Sequence, residues 1–169
     1  MSKIGLFYGS STGETKNAAQ KIQKEFGDGA VTLHNVGECS VADFANYQCV
    51  IVGCPTWDVG DLQPDWDRFL KQLDGVSFDG KKVAYFGTGD QVGYPATFQD
   101  AIGILEEKIS GLGGKTVGYW PADGYDHTDS KAIRDGKFCG LALDDDNESD
   151  KTEERINTWC GQIKSAMGI

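Results

Sequence analysis

The sequence predicts an α/β fold, a doubly wound three-layer sandwich in which helices cover both faces of a five-stranded parallel sheet. Apolar runs recur along the 169 residues, and stretches with a helical period separate them. The runs are apolar throughout rather than alternating, as expected for strands that are buried on both faces. The length suits a single domain over residues 1–169 with a sizeable core.

The strand-like runs follow one another along the chain, and the last of them is interrupted. They span 3–8, 30–34, 49–53, 82–87 and 116–120. The segment 121–139 is polar, rich in Gly and Asp, and long for a connection within a compact domain. Because a further apolar stretch follows at 141–143, we predict an insertion that splits the fifth strand into two pieces.

Four stretches whose apolar residues lie three or four positions apart predict amphipathic helices between the strands. We expect Asp150 and Glu153 to cap the last of these helices. The periodic positions are Thr15, Ala18, Ala19, Ile22 and Phe26; Trp66, Phe69, Leu70 and Leu73 after Pro64; Phe98, Ile102, Leu105 and Ile109 after Pro95; and Ile156, Trp159, Cys160, Ile163 and Met167.

Composition limits the partners and the compartment. The formal charge of −10 and the pI near 4.5 argue against nucleic acid and against anionic membrane surfaces as partners. The five cysteines form no Cys-x-x-Cys pair, so reduced thiols are expected, and no metal site, neither zinc nor iron–sulfur, is predicted. The chain enters its first strand directly and has no apolar run of membrane length, so we expect a cytoplasmic protein without membrane insertion.

The stretch between the first strand and the first helix suits a phosphate. In a helix start of this kind, backbone N–H groups lack partners and the helix dipole is positive. Hydroxyl donors are plentiful here, whereas Lys and Arg are absent, so a bound phosphate would keep its charge. Glu14 stands where a nucleotide-triphosphate loop needs lysine, and the two glycines do not match the dinucleotide fingerprint. A hydroxyl-rich helix cap without a ligand is the alternative. The stretch is Tyr8-Gly9-Ser10-Ser11-Thr12-Gly13-Glu14-Thr15.

Two further loops should reach the same edge of the sheet, because ligands of doubly wound sheets lie beyond the carboxyl ends of the strands. Loop 54–62 carries Trp57 and loop 87–96 carries Tyr94, each among glycines and short polar residues. A planar ring between the two aromatic side chains would gain about 0.5–1.5 kcal/mol per contact beyond area burial. Taken singly, Trp57 could equally be a core or interface residue, and Tyr94 a surface tyrosine.

Together the three motifs resemble those of the long-chain flavodoxins, and the chain looks most similar to members from photosynthetic microorganisms. The resemblance covers essentially the whole length, and the insertion at 121–139 is the mark of the long-chain class. It implies the strand order 2-1-3-4-5, FMN as the cofactor, the phosphate at 10–15, and the isoalloxazine between Trp57 and Tyr94. The matching motifs are Ser10-Ser11-Thr12-Gly13-Glu14-Thr15, Pro55-Thr56-Trp57 with Gly60, and Phe86-Gly87-Thr88-Gly89-Asp90 with Tyr94.

The same resemblance implies the other residues that bind the cofactor. The 56–60 and 88–93 backbones should line the pyrimidine side and the N5 edge of the flavin, and Asp146 should lie near the ribityl chain. No residue with a catalytic role of its own is expected. The full predicted set is Ser10, Ser11, Thr12, Gly13, Glu14, Thr15, Pro55, Thr56, Trp57, Asp58, Val59, Gly60, Thr88, Gly89, Asp90, Gln91, Gly93, Tyr94 and Asp146.

The implied function is that of a low-potential one-electron carrier, not an enzyme. Its noncovalently bound FMN would cycle between semiquinone and hydroquinone while it shuttles electrons between redox proteins. Acids near the rim, among them Asp61, Asp90 and 144–146, should disfavour an anionic reduced flavin. Two unit charges about 10 Å apart at an effective dielectric near ~20 repel by about 1.7 kcal/mol, or about 70 mV.

Trp57, Asp58 and Val59 are expected to tune the potentials. By resemblance, the Asp58–Val59 peptide turns over on the first reduction so that its carbonyl accepts a bond from N5–H. Many relatives carry glycine at the first of these positions, where a positive φ costs little. Asp58 tolerates that conformation less freely, so we expect it to make the turn costlier.

The resemblance further implies a monomer that meets basic redox proteins. Ferredoxin–NADP reductase and photosystem I are the expected partners in photosynthetic microbes, with nitrogenase or other reductases elsewhere. Acidic side chains on the redox face would steer these partners toward the flavin, although a generally acidic surface is the alternative. They are Asp61, Asp65, Asp67, Asp123, Asp126 and Asp129.

Two other functions on this topology stay open from sequence alone. An FMN-dependent quinone or flavin reductase would bind NAD(P)H directly; it would want a substrate pocket above the ring and usually has a basic residue for the nucleotide phosphate. A response-regulator-like domain would need an aspartate at the end of the third strand, where Gly53-Cys54 stands. The acidic run 144–150 lacks the pattern of a calcium loop and is predicted to be a solvated turn. His34 and His127 are expected to be structural or surface residues.

Overall fold

The structure, a computed structural model, describes residues 3–57 and 59–169. The strands are β1 (Ile4–Tyr8), β2 (Val31–Asn35), β3 (Cys49–Trp57), β4 (Asp61–Leu62), β5 (Lys82–Thr88), β6 (Lys115–Val117), β7 (Trp120–Pro121), β8 (Ile133–Arg134), β9 (Lys137–Phe138) and β10 (Leu141–Leu143). The helices are α1 (Glu14–Phe26), α2 (Pro64–Lys71), α3 (Asp100–Gly111), α4 (Asp145–Glu148) and α5 (Thr152–Met167), with 3-10 turns at Val41–Asn46 and Ser149–Lys151.

The central sheet has the predicted parallel order. Strands β2, β1, β3 and β5 lie side by side, and β6 and β10 both pair with the far edge of β5. The register places Lys82 opposite Lys115 and Phe86 opposite Leu141, so β6 continues into β10 along one edge. The predicted strand order and the split fifth strand are therefore confirmed. The short β4 returns antiparallel against the end of β3.

Helices cover both faces of this sheet, because each central strand is apolar on both sides. In β1, Leu6 packs in the cluster formed with α1 and α5, whereas the next residue, Phe7, packs in the cluster on the opposite face. Successive side chains of a strand point to opposite faces, which explains the division. In the described part of the chain, no helix combines the length and the apolar content that crossing a bilayer requires.

The insertion is a small folded unit, and the fifth strand breaks earlier than predicted. Strand β6 ends at Val117, not at residue 120, because Gly118 turns the chain with a φ of 84°. The indole Nε1 of Trp159 donates to the carbonyl of Gly118 at 2.9 Å and holds the turn in place. Beyond it, β7, β9 and β8 form a separate three-stranded antiparallel sheet, in which Trp120 lies opposite Phe138.

Two predicted helix starts are wrong for local reasons. Helix α3 begins at Asp100 rather than near Phe98, because Gln99 has a φ of 64° and interrupts the helical backbone. Helix α5 begins at Thr152, and Lys151 occupies the N-cap position without a side-chain cap, so Asp150 and Glu153 do not form the predicted capping pair. Asp150 instead lies in the preceding 3-10 turn.

All five cysteines are free thiols. Cys54, Cys139 and Cys160 are buried in the core. Burial raises the pKa of each of these three thiols to about 12. They are therefore protonated at neutral pH and pack as small apolar side chains.

The contact between α3 and the insertion gives a test of the fold. A Cβ at Gly103 would lie 2.4 Å from the backbone oxygen of Lys131. We expect Gly103→Ala to lower the free energy of unfolding by about 1–3 kcal/mol, because the insertion must move off the helix. Urea denaturation measures the change.

The matched control is Gly111→Ala at the end of the same helix, where an added Cβ meets no atom within 4 Å. That change should be neutral or slightly stabilising. Equal destabilisation by the two substitutions would contradict the packing described here.

Candidate functional site

Three loops enclose a cleft of about 290 Å³ at the carboxyl ends of β1, β3 and β5. It is open to solvent on one side, where Tyr94 is 46% exposed. All of its lining residues belong to the set predicted from the sequence. They are Thr12, Glu14, Pro55, Thr56, Trp57, Thr88, Gly89, Asp90, Tyr94 and Asp146.

The first loop ends in a helix start that has no side-chain cap. Gly13 occupies the N-cap position of α1 with a φ of 95°, and no side chain caps the helix there. The N–H of Gly13 donates to Ser10 Oγ at 3.1 Å, and Thr15 Oγ1 lies 3.0 Å from Thr88 Oγ1. The first turn therefore offers N–H groups and the positive end of the helix dipole to a ligand.

A buried glutamine holds this loop against α2. Gln63 is 1% exposed, and its Nε2 donates to Ser11 Oγ at 3.1 Å. Its Oε1 accepts from the N–H of Trp66 at 3.2 Å, so the same side chain caps α2. A Cβ at Gly9 would lie 2.4 Å from Gln63 Oε1. Glycine at that position lets the loop pass close over the helix start.

The second loop is held by α3. Thr56 Oγ1 accepts from the N–H of Ala101 at 3.0 Å in the first turn of that helix. Gly60 has a φ of 91°, and a Cβ there would lie 2.8 Å from Asp100 Oδ2. Val59 is 77% exposed at the tip of the loop. Asp58, which the sequence predicts to tune the potentials, lies outside the described residues.

The third loop folds around the carboxylate of Asp90. Its Oδ1 accepts from the N–H groups of Val92 at 3.0 Å and Gly93 at 2.7 Å, and from Asn147 Nδ2 at 2.8 Å. The backbone bond from Gly93, followed by the bond from Asn147, lowers the pKa of Asp90 below its usual value. The N–H of Tyr94 donates to the carbonyl of Asp90 at 3.0 Å, which fixes the tyrosine relative to this turn.

Sequence reasoning missed the buried carboxylate behind this loop. Asp144 has no exposed surface, so the prediction of a solvated acidic turn is wrong for this residue. Its Oδ2 accepts from the N–H of Gln91 at 3.1 Å and from Gln91 Nε2 at 2.8 Å. Asn147 donates to it through both its backbone N–H and its side-chain amide. The sequence around Asp144, an apolar run at 141–143 followed by several acids, does not indicate that this carboxylate is buried.

The insertion supports the third loop from behind. The N–H of Asp126 donates to Gln91 Oε1 at 2.5 Å, and the N–H of Thr128 donates to the carbonyl of Pro95 at 2.7 Å. Gln91 Nε2 also donates to Glu148 Oε1 at 2.8 Å. The Gln91 side chain is therefore fully used within the protein and joins the loop to the insertion and to α4.

The cleft carries negative charge. Its titratable lining groups are Glu14, Asp90, Asp146 and Tyr94, and no described Lys, Arg or His lines it. Burial, and then the charge of Asp146, raises the pKa of Glu14 above its usual value. Burial, and then the charge of Asp90, likewise raises the pKa of Asp146. A further negative charge in this cleft would therefore meet repulsion.

The remaining predicted residues surround the cleft without lining it. Their positions differ: some support the first loop through hydroxyl or backbone contacts, and others lie at the outer turns of the second and third loops. They are Ser10, Ser11, Gly13, Thr15, Val59, Gly60, Gln91 and Gly93.

Comparison with known proteins identifies the family. A sequence model described as Flavodoxin matches residues 6–159. The chain belongs to the flavodoxin family. It is 63% identical to a flavodoxin of Trichodesmium erythraeum over all of both chains, and 61% identical to one of Nostoc sp. over 99% of this chain and 98% of that relative.

A solved flavodoxin shows the same fold with a ligand. The crystal structure of Fusobacterium nucleatum flavodoxin bound to flavin mononucleotide superposes with a TM-score of 0.93 and 33% identity. The alignment covers 98% of this chain and 99% of that one. The resemblance noted from the motifs is therefore confirmed over the full length.

The cleft of this flavodoxin fits the cofactor that the family implies. An uncapped helix start with neutral hydroxyl neighbours suits a phosphate. Ser10 Oγ and Ser11 Oγ accept bonds from the protein, which leaves their O–H groups free to donate outward. Trp57 and Tyr94 line the same cleft and offer two aromatic faces to a planar ring.

The side chain of Gln91 gives a test of how the third loop is held. We expect Gln91→Ala to lower the free energy of unfolding by about 1–3 kcal/mol, because it leaves the N–H of Asp126 and the buried Asp144 with fewer partners. The looser loop should also weaken FMN binding, although Gln91 does not line the cleft. Urea denaturation and fluorescence titration with FMN measure the two effects.

Val92→Ala is the matched control, because Val92 is the next residue and is 62% exposed. Its effect on unfolding should stay within about 0.5 kcal/mol. If Gln91→Ala proved as mild as this control, the hydrogen bonds to Asp144 and Glu148 would not be what holds the loop.

Proposed function

We propose that this flavodoxin is a low-potential one-electron carrier that holds FMN noncovalently in the cleft between its three loops. Bound FMN supplies the chemistry by cycling between semiquinone and hydroquinone. The proposal rests on the composition of the cleft, in which two aromatic side chains, an uncapped helix start and three carboxylates lie together. The FMN-bound relative supports the choice of ligand.

The first loop would bind the phosphate without neutralising it. Backbone N–H groups at the start of α1 and the hydroxyls of Ser10, Ser11 and Thr12 are the donors, and the hydroxyl pair of Thr15 and Thr88 closes the base of the loop. Because the described lining contributes no Lys, Arg or His, the charge of the phosphate would add to that of the surrounding acids.

The second and third loops would hold the ring. Trp57 and Tyr94 would stack on its two faces, while the backbones of 56–60 and 88–93 approach its polar edge. The exposure of Tyr94 leaves one side of the cleft open, where a partner can approach the flavin. Asp146 would lie near the ribityl chain, as its place in the cleft lining allows.

Charge favours a carrier over a nucleotide-dependent reductase. Sites for pyridine nucleotides usually include a basic side chain for the nucleotide phosphate, whereas the described lining of this cleft contains carboxylates. Basic redox proteins such as ferredoxin–NADP reductase and photosystem I are the proposed partners. The exposed acids Asp61, Asp123 and Asp126 would steer them.

The distinction can be tested with the FMN-loaded protein and NADPH. Mixed with NADPH alone under anaerobic conditions, the protein should stay oxidised, as its visible absorption will show. Adding ferredoxin–NADP reductase should reduce it, at a rate that falls as ionic strength rises. Rapid reduction by NADPH alone would indicate an enzyme, and a protein that binds no FMN would overturn the proposal entirely.

Glu14 should weaken the binding of the phosphate. Its carboxylate lines the cleft beside the uncapped helix start. We expect Glu14→Gln to strengthen FMN binding by about three- to tenfold at neutral pH, or about 0.7–1.4 kcal/mol, because one repulsive charge is removed. Isothermal titration calorimetry with the FMN-free protein measures the change.

The effect of Glu14→Gln on the affinity for FMN should depend on pH in a defined direction. Burial raises the pKa of Glu14, so the wild-type carboxylate takes up a proton as pH falls toward that pKa and the repulsion disappears. The difference in affinity between wild type and Glu14→Gln should therefore narrow in acid. Asp28→Asn makes the same charge change in the exposed turn between α1 and β2 and should leave the affinity unchanged. A difference that widened in acid would contradict this role.

A further inference from the structure

Three potential metal ligands of different chemistry meet at the end of β2. One ligand atom from each of His34, Cys39 and Asp43 lies within 4.8 Å of the other two. All three side chains are partly buried, so they are accessible to a small ion without being freely solvated. The residues lie close in sequence but follow no recognised metal motif, and only the turn after β2 brings them together.

The ring of His34 is fixed by two aromatic neighbours. Its ring stacks on Phe7 with centroids 4.6 Å apart, and its Nε2 lies 2.8 Å from Tyr47 Oη. With Nε2–H donating to that oxygen, the lone pair is on Nδ1. Metal-binding histidines commonly have their second nitrogen fixed in this way.

The other two ligands sit on backbone that is also fixed. The N–H of Cys39 donates to the carbonyl of Asn35 at 2.9 Å. Asp43 Oδ2 accepts from the N–H of Ser40 at 3.0 Å, which leaves Oδ1 without a bond among the described residues. The turn itself is therefore fixed, and metal binding would require the side chains of Cys39 and Asp43 to rotate toward a common centre.

The donor set selects the class of ion. A thiolate, an imidazole and one carboxylate oxygen suit zinc and other divalent first-row transition metals, whereas magnesium and calcium prefer sites made of oxygen ligands alone. Tetrahedral bonds of about 2.0–2.3 Å place ligand atoms about 3.3–3.8 Å apart. Ligand atoms that are now as much as 4.8 Å apart would therefore have to approach one another by about 1–1.5 Å on metal binding.

We propose that His34, Cys39 and Asp43 form a zinc site with three protein ligands and one position left for water. Binding releases the Cys39 thiol proton to solvent and forms the Zn–S bond. The bound ion would link the end of β2 to the 3-10 turn Val41–Asn46. Cysteine spacing alone predicts no metal site, since a count of Cys-x-x-Cys pairs does not consider a cluster of mixed ligands such as this one.

Cobalt gives the most specific test, because a Co²⁺–thiolate bond has an intense ultraviolet charge-transfer band and surface carboxylates do not. The FMN-loaded protein is treated with chelator, dialysed and titrated with Co²⁺, then with Zn²⁺. We expect one Co²⁺ per chain with the thiolate band, and displacement by Zn²⁺ that abolishes it. Cys39→Ser should remove the band and weaken Zn²⁺ binding at least tenfold.

Cys49→Ser is the matched control, because Cys49 is another partly buried free thiol and lies outside the cluster. It should leave the band and the affinity unchanged. Tyr47→Phe, which keeps all three ligands but frees His34 Nε2, should weaken binding by about tenfold. The flavin absorption spectrum reports whether each variant is folded.

A second measurement needs no variant. Zn²⁺ should slow the alkylation of Cys39 by iodoacetamide several-fold and leave that of Cys49 unchanged, as peptide mass spectrometry will show. Absence of the thiolate band, equal Zn²⁺ affinity in Cys39→Ser, or equal protection of both cysteines would each overturn the proposal.

Discussion

The parallel register of β1, β3 and β5 is the constraint on which the site depends. Tyr8 lies opposite Gly53, and Gly53 lies opposite Phe86, so the carboxyl ends of the three strands lie at the same edge of the sheet. The loops at 9–15, 54–62 and 87–96, which are far apart in sequence, therefore meet above one edge. Apolar packing on both faces of the sheet fixes this register, since a slip by one residue would exchange the two faces of a strand.

Buried polar side chains hold the loops to the scaffold. Gln63, Thr56 and Gln91 each bond a loop to a neighbouring helix or to the insertion. The fully buried carboxylate of Asp144 is stabilised by donors from Gln91 and Asn147, which offset the cost of removing a charge from water. The acidic groups that fix the third loop also lie near the cleft, so the rigidity of the loop and the proposed tuning of the flavin potential would depend on the same residues.

The sequence predicts structural features that depend on local residue patterns, but it does not predict burial or helix boundaries that depend on contacts with distant residues. Continuous apolar runs predicted the sheet, and its order came from the motif resemblance. The burial of Asp144 depends on Gln91, which lies more than 50 residues earlier. The start of α3 depends on the positive φ of Gln99, whose Nε2 donates to the carbonyl of Leu143 on β10. Neither contact can be predicted from the identity of Asp144 or Gln99 or from the residues next to them in the sequence.

An aromatic-lined, carboxylate-rich cleft whose described lining holds no Lys, Arg or His should disfavour the last electron on the flavin. Spectroelectrochemical titration of the FMN-loaded protein measures this effect. We expect the potential of the second one-electron couple to lie more than about 100 mV below that of free FMN, because several charge repulsions of about 70 mV each act together. A second couple at or above the value for free FMN would contradict it.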